Sequence, residues 1–290
     1  MDVFQDFGIN LHQILTITTD NAANMIKSVA DLNQELNEEQ AVESDEEQNV
    51  DHLELMPSDL VSSGVQSIRC GAHTIQLCVN DVIKTESIKQ NIDTCRSVSK
   101  KLRTTYYRSM LKNGGHKAAF IDCITRWNST YKMIERLLLL KSIITSLGNI
   151  NAELYLTENS WTFMTELVSA LKPFYTATLK LQSGKLCFSD LFIILMDLDF
   201  EVQNLPENEL KVMFLQALNK RKTALLEGDL FTAAIYLDPR IRISLSASQI
   251  VTAKKCIESL YKRIQCLKDR TYEHKFIDTC PCDDNDKPFP

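Results

Sequence analysis

The sequence lacks long hydrophobic runs, glycine-rich loops and the cysteine pattern of a secreted protein. Its longest purely apolar run covers residues 191–196, which is far too short to cross a bilayer. The first residues carry neither a basic segment nor an apolar core, so no secretion signal is predicted. The nine cysteines are odd in number and scattered, which favours a reducing compartment over a disulfide framework. No phosphate-binding loop is found among the eight glycines.

Positive charge is missing from one segment near the N-terminus. Residues 31–59 contain eleven Asp and Glu and no Lys or Arg, whereas the rest of the chain carries about +5 of a total net charge of −6. Because a polar, highly charged segment cannot bury enough apolar surface to fold, residues 31–64 are predicted to form an acidic, disordered loop. The whole chain, with 44% apolar residues, has the composition of an ordinary globular protein with a sizeable core.

Apolar spacing predicts a mainly α fold. Residues 14–19 and 65–70 are the two strand patterns, and they belong to a small, partial α/β segment at the N-terminus. Helical spacing dominates afterwards, with one long helix predicted over residues 87–111. A later predicted helix over residues 160–182 contains Pro173, which should kink or split it. The large all-α region is expected to end in a flexible tail over residues 271–290.

Asp20 is the first candidate for chemistry, because it lies at the carboxyl end of the first predicted strand. A carboxylate in this position can contribute to an Mg²⁺ site, since Mg²⁺ prefers oxygen ligands. Asp20 can instead accept a hydrogen bond from a backbone N–H at the start of the next helix. The spacing alone favours this helix cap over a metal ligand.

Cys70 and His73 form the second candidate, at a predicted strand–helix junction. Their spacing could supply half of a zinc site, but no second Cys/His pair follows at the spacing of a zinc finger. We therefore favour a structural role, in which the two side chains stabilise the junction by packing and hydrogen bonding.

A run of basic residues between Asp93 and Asp122 is the third candidate. The run contains no acidic residue, and Tyr106 and Tyr107 lie within it. Its cations are Arg96, Lys100, Lys101, Arg103, Arg108, Lys112 and Lys117. Lys and Arg neutralise phosphates and aromatic rings stack on unpaired bases, so this composition favours nucleic-acid binding. A solvated helix face is the alternative. Arg126 and Trp127 follow as a possible phosphate and stacking pair, although a lone Trp before a helix is more often part of a core.

Four sequence blocks indicate a family more specifically together, in their order along the chain, than any one of them does alone. They are residues 18–25 (TTDNAANM), 69–77 (RCGAHTIQL), 125–131 (TRWNSTY) and 237–240 (LDPR). Over residues 10–245 the sequence resembles the hAT transposase superfamily, including domesticated BED-type zinc-finger proteins. The resemblance implies a ribonuclease-H-like core, represented by residues 1–30 and 65–90, that is interrupted by a helical insertion domain over residues 91–270.

The resemblance also implies roles for individual residues. Asp20 matches the second acidic residue of the metal-binding Asp-Asp-Glu triad of these transposases. Cys70 and His73 match a Cys-x-x-His motif near the active site. Arg126 and Trp127 match an Arg-Trp pair that engages the DNA end, in which the Trp stacks on a base.

The sequence departs from the family pattern in the catalytic parts. We find no BED finger, no first triad Asp, no final triad Glu and no C-terminal dimerisation segment. A single carboxylate cannot organise two metals, so Mg²⁺ binding at Asp20 should be weak or lost. We therefore expect no cofactor and no catalysis by this chain. We expect a transposase-derived nuclear protein with residual DNA binding, which in the ancestral enzyme targets terminal repeats. Full-length relatives could be homo-oligomers, and no membrane partner is expected. The alternative is a protein-interaction scaffold built on the helical domain.

Overall fold

The computed structural model describes residues 6–9, 11–20, 23–46, 64–226 and 228–277. The chain divides into two compact units, one formed by Met1–Ile68 with Gly228–Pro290 and the other by Arg69–Glu227. The described elements, in chain order, are β1 (Thr16–Thr19), α1 (Ala23–Glu46), β2 (Gln66–Arg69), α2 (Gly71–Ile83), α3 (Glu86–Leu102), α4 (Thr105–Asn113), α5 (Trp127–Leu139), α6 (Lys141–Gly148), α7 (Glu158–Leu181), α8 (Asp190–Gln203), α9 (Glu209–Leu226), α10 (Asp229–Leu237) and α11 (Ala247–Ile277). The predicted mainly α fold is therefore confirmed.

The first unit contains the two-stranded sheet of β1 and β2, together with α1, α10 and α11. Asn33 of α1 fastens the start of β2, because its side chain both donates to the carbonyl of Val65 (3.0 Å) and accepts from the N–H of Val65 (2.7 Å). Arg263 of α11 donates to the carbonyls of Gly64 (3.0 Å) and Ile14 (2.9 Å), and burial lowers its pKa. Side-chain donors thus satisfy backbone carbonyls beside a sheet too small to pair them all.

Helix α1 occupies part of the segment that is predicted to be an acidic, disordered loop. The helix continues to Glu46, so the prediction of disorder is wrong for residues 31–46, whereas residues 47–63 lie outside the described residues. Val29, Leu32 and Leu36 recur at helical spacing and pack in a small core with Leu11. Asp31, between Val29 and Leu32, is exposed, so the charged composition concealed a narrow apolar stripe. Similarly, α11 extends into the predicted flexible tail as far as Ile277, and residues 278–290 are not described.

The second unit consists of α2 to α9 around one large hydrophobic core, which we call the main core. The unit begins at Arg69, well before the predicted boundary of the helical domain at residue 91, and ends at Glu227 instead of residue 270. Helix α7 supplies fully buried side chains to this core, and its Phe174 ring lies 4.9 Å from that of Phe214 in α9. Pro173 does not split α7, which is continuous from Glu158 to Leu181. Packing on both sides of Pro173 offsets the lost backbone hydrogen bond.

The predicted long helix over residues 87–111 is two helices in the structure. Helix α3 ends at Leu102 and α4 begins at Thr105. The break follows from the apolar pattern, because the buried stripe of α3 ends in Val98 and Leu102, whereas the apolar side chains of α4 are out of phase with it. A single straight helix could not bury both sets. No helix in the described part of the chain is both long and apolar enough to span a membrane.

Candidate nucleic-acid interface

Asp20 lies where the sequence predicts it, directly after strand β1 and on the surface of the first unit. Cys70 and His73 belong to the second unit, at the start of α2. The Cys70 side chain makes no capping hydrogen bond. Instead, the carbonyl of Cys70 accepts from both the N–H (2.9 Å) and the hydroxyl (3.0 Å) of Thr74. The hydrogen bonds at this junction therefore come from the backbone of Cys70 and from Thr74, whereas the packing role of Cys70 and His73 stays a prediction.

The described residues do not fit a metal ion. Across residues 6–9, 11–20, 23–46, 64–226 and 228–277, no three His, Cys, Asp or Glu side chains are grouped so that they could share an ion. A catalytic Mg²⁺ pair requires several converging carboxylates.

Arg96, the first cation of the basic run, is engaged inside the second unit. Its Nε donates to both carboxylate oxygens of Asp122 (2.9 and 3.0 Å), and its Nη2 donates to Oδ2 of Asp122 (2.7 Å). Its Nη1 donates to Asp93 (2.6 Å), one turn earlier in α3. Two acidic residues that flank the basic run in sequence thus neutralise Arg96, so its predicted role in DNA binding is not supported by its contacts.

Asp122 is the buried partner in this network, with a side chain only 1% exposed. The hydroxyl of Thr130 in α5 also donates to its Oδ2 (2.7 Å). Burial by itself would raise the pKa of Asp122, but the hydrogen bonds from Arg96 and Thr130 outweigh burial and hold the pKa below its ordinary value. Asp122 therefore remains a carboxylate that links α3 to α5. Its position outside the basic run explains why it was not predicted as a functional residue.

The burial of Trp127 contradicts the predicted Arg-Trp contact with DNA. Its side chain is 3% exposed and belongs to the main core, together with Tyr131 and Ile134 of the same helix. These three residues recur at intervals of four and three, which is the spacing of one buried helix face. An indole in this position cannot stack on a base without opening the core. Arg126, which directly precedes the helix, is exposed.

A tight turn presents Arg126. The hydroxyl of Ser129 donates to the carbonyl of Arg126 (2.6 Å) and accepts from the N–H of Cys123 (2.7 Å). Gln76 of α2 donates to the carbonyl of Thr125 (3.3 Å) across 49 residues of sequence. The second and third sequence blocks therefore meet in space, a contact that the sequence alone does not reveal.

The remaining cations of the run differ in their partners. Lys101 forms an ion pair with Glu153, which lies in the 3-10 turn Ala152–Leu154. Five others are exposed, and none of them pairs with a carboxylate in the part of the chain that the structure describes. We name these five residues the basic segment: Lys100, Arg103, Arg108, Lys112 and Lys117. The basic segment covers the end of α3, all of α4 and the connection that follows.

Helix α4 turns two of these cations to solvent. Tyr107, Met110 and Leu111 pack against or within the main core, so they define the buried face of the helix. Arg108 and Lys112 are four residues apart and therefore lie one above the other on the exposed side. A linear polyanion that follows the helix can contact both of them.

Comparisons with known proteins match this part of the chain. Residues 68–170 match the family described as the ZBED1 RNase-like helical domain. The chain is also 25% identical over 198 residues to zinc finger BED domain-containing protein 4 of Homo sapiens. The matched part covers 62% of this chain and 16% of the human protein, so the chain spans about a sixth of the length of that relative. These matches confirm the resemblance that the four sequence blocks predict.

Proposed function

We propose that the helical unit is a nuclear DNA-binding module, because the chain is similar to BED-type, hAT-transposase-derived proteins. The observation that carries the proposal is the basic segment, with five exposed cations and no carboxylate partner among the described residues. The basic segment also lies wholly within residues 68–170, the part of the chain that matches the ZBED1 RNase-like helical domain.

Phosphate neutralisation supplies the affinity in this proposal. Each cation that contacts a phosphate releases a bound counterion, and the logarithm of the binding constant falls by about 0.9 per contact for each unit of log salt concentration. Such contacts carry no sequence information, so binding should be similar for different duplexes. Arg96 and Lys101 are not expected to contribute, because Asp122 and Glu153 already neutralise them.

Charge reversal with a matched control tests the proposal. The 290-residue chain and the double variant Arg108→Glu/Lys112→Glu are titrated with a labelled duplex at several salt concentrations. The control is Lys172→Glu/Lys220→Glu, because both lysines are exposed on helices of the same unit and lack a carboxylate partner among the described residues. The two variants change the net charge equally, so they differ in the position of the reversed charges.

We expect the first variant to bind at least about tenfold more weakly and to lose about two units of salt slope. The control should behave like the unchanged chain. Equal losses in both variants would mean that only net charge matters, and an absence of binding by the unchanged chain at low salt would refute the proposal.

We further propose that these 290 residues do not cut or join DNA by themselves. The proposal rests on Asp20, which is the one residue that matches the catalytic triad, and a single carboxylate does not organise two metals. Incubation of the purified chain with Mg²⁺ and a terminal-repeat oligonucleotide provides the test. Metal-dependent cleavage that disappears in Asp20→Asn would overturn this proposal and leave the DNA-binding proposal intact.

A protein-interaction scaffold is the second candidate function, favoured by exposed apolar side chains in the first unit. Leu237 at the end of α10, Ile243 in the following 3-10 turn and Val251 in α11 all face solvent, and Ile243 is 96% exposed. A self-associating surface of this kind should give concentration-dependent sedimentation that Ile243→Ser weakens. Leu139→Ser, in the other unit, provides a control, because Leu139 is also an apolar side chain and is 72% exposed. A single monomeric species at all concentrations would exclude self-association.

A further inference from the structure

Tyr106 is a solvent-exposed aromatic residue that lies between Arg103 and Arg108 of the basic segment in sequence. It is the second residue of α4, and its side chain is 73% exposed. Arg108 follows two residues later, and Lys112 lies on the same exposed side of the helix as Arg108. The structure thus combines an accessible ring with cations that lack a carboxylate partner among the described residues.

Tyr107 holds the ring of Tyr106 in place. The two rings are 5.1 Å apart at an interplanar angle of 81°, an edge-to-face arrangement. Tyr107 is itself fixed, because it packs against the main core and its hydroxyl accepts a hydrogen bond from Asn151 (2.9 Å). A ring supported in this way loses less conformational freedom when it binds a ligand than an unsupported side chain would.

We propose that Tyr106 stacks on an unpaired base, so that the basic segment binds single-stranded DNA in preference to duplex DNA. This inference rests on the proposed function and specifies the form of DNA that it engages. Bases within a duplex are already stacked on one another, and their faces are not available to a side chain on the protein surface. In a single strand, each base has a free face, and a flexible strand with one base stacked on Tyr106 can continue around α4 to Arg108 and Lys112, which project from a different side of the helix.

Tyr106 and Trp127 differ in their access to solvent. The Trp127 ring lies inside the core, whereas Tyr106 is exposed and can reach a base. Of the two tyrosines in the basic run, Tyr106 is exposed and Tyr107 packs against the main core. Arg108 can contribute the charge and Tyr106 the stacking surface.

The test combines a variant of the protein with a variant of the strand. Binding of the 290-residue chain is measured by fluorescence anisotropy with a mixed-sequence single strand of about 16 nucleotides, the upper end of common site sizes. A duplex of the same sequence and a strand of the same length with abasic sites complete the set of probes. The abasic strand keeps every phosphate and lacks the bases on which a ring can stack.

The protein variants separate the ring from its hydroxyl and from general surface changes. Tyr106→Ala removes the ring, and Tyr106→Phe keeps it. Phe200→Ala is the matched control, because Phe200 is 68% exposed on α8 of the same unit and lies between Asp199 and Glu201, where a polyanion is disfavoured. Arg108→Glu/Lys112→Glu reports separately on phosphate binding. Circular dichroism confirms that each variant is folded.

The unchanged chain should bind the single strand more tightly than the duplex by at least about fivefold. Tyr106→Ala should weaken single-strand binding by about tenfold, within the range measured for stacked bases, and should hardly change duplex binding. Abasic sites should weaken binding of the unchanged chain by a similar factor and have little further effect on Tyr106→Ala. Tyr106→Phe and Phe200→Ala should bind like the unchanged chain.

Two other outcomes overturn the inference in different ways. If Tyr106→Ala binds all probes as the unchanged chain does, while Arg108→Glu/Lys112→Glu weakens them all, stacking is refuted and the proposed DNA binding stands. If neither the single strand nor the duplex binds at low salt, both the inference and the proposed function are refuted.

Discussion

Replacement of Arg96 by Gln distinguishes a structural cation from a DNA-binding one. The change removes three donor contacts to Asp122 and one to Asp93. The Asp122 carboxylate, 1% exposed, then keeps the hydroxyl of Thr130 as its side-chain donor. Removing one partner of a buried ion pair costs about 3–5 kcal/mol. Because the Arg96 side chain is 23% exposed and water can partly replace it, we expect about 3 kcal/mol.

Chemical and thermal unfolding measure this loss. For a chain of this size, about 3 kcal/mol corresponds to a decrease in melting temperature of roughly 6–12 °C. Arg103→Gln is the matched control, because Arg103 is exposed, lacks a carboxylate partner among the described residues and should change the unfolding free energy by less than about 0.5 kcal/mol. The double variant Arg96→Gln/Asp122→Asn should be less destabilised than the sum of the two single variants, since it leaves no buried charge.

DNA binding by the same two variants completes the comparison. Well below its melting temperature, Arg96→Gln should bind DNA as the unchanged chain does, whereas Arg103→Gln should bind more weakly and with a smaller salt slope. The reasoning fails if Arg96→Gln is as stable as the unchanged chain and instead loses DNA affinity, because Arg96 would then act as the sequence alone suggested.

Two further predictions concern stability. The pKa of Asp122 is lowered in the folded state, so its charge stabilises the fold above the unfolded pKa of about 4, and this contribution is lost as the pH falls through the folded pKa. In urea titrations, the stability difference between the unchanged chain and Asp122→Asn should therefore be full at pH 7 and shrink below about pH 4; a constant difference would contradict the lowered pKa. Gly148→Ala should cost about 1–3 kcal/mol, because a Cβ at Gly148 would lie 3.0 Å from Cα of Tyr155 and 3.2 Å from the carbonyl oxygen of Leu154. Gly184→Ala, with no atom within 4 Å of the added Cβ, is the control in thermal melts and should show no such loss.

Local patterns predicted much of the fold and little of the pairing within it. Asp20 follows a strand, as the β-branched residues before it indicate, and the apolar spacing after Arg69 produces helices. The sequence did not reveal the Arg96–Asp122 contact, because 26 residues separate the partners and nothing in their spacing connects them. Only the pairing of Arg96 with Asp93 is local, at a spacing that places both on one side of a helix.

Two wrong predictions share a physical cause. Composition predicts a disordered loop over residues 31–46, although Val29, Leu32 and Leu36 form a helical stripe. The family resemblance implies that Trp127 stacks on DNA, although this residue shares a buried helix face with the residues four and seven positions later, as expected of a lone Trp before a helix. In both cases the spacing of the apolar residues indicates the packing correctly. Burial of a continuous apolar face stabilises the fold more than the average charge of a segment opposes it, and it decides where Trp127 lies whatever role the matching Trp has in the relatives.

Paired and unpaired cations in this short region have separate roles: the paired ones stabilise the fold, and the unpaired ones are those to which we assign the proposed DNA binding. Asp122 neutralises Arg96 in a largely buried pair and Glu153 neutralises Lys101 at the surface, so both cations add little to the positive field. The basic segment keeps its charges, and mutual repulsion among them is a cost that an anion relieves. Lys100 and Lys112 lie in the last turns of α3 and α4, where the helix dipole favours a cation and offsets part of this cost. A polyanion that removes the remaining repulsion should therefore stabilise the folded unit as it binds, which links DNA affinity to the melting temperature of the same helices.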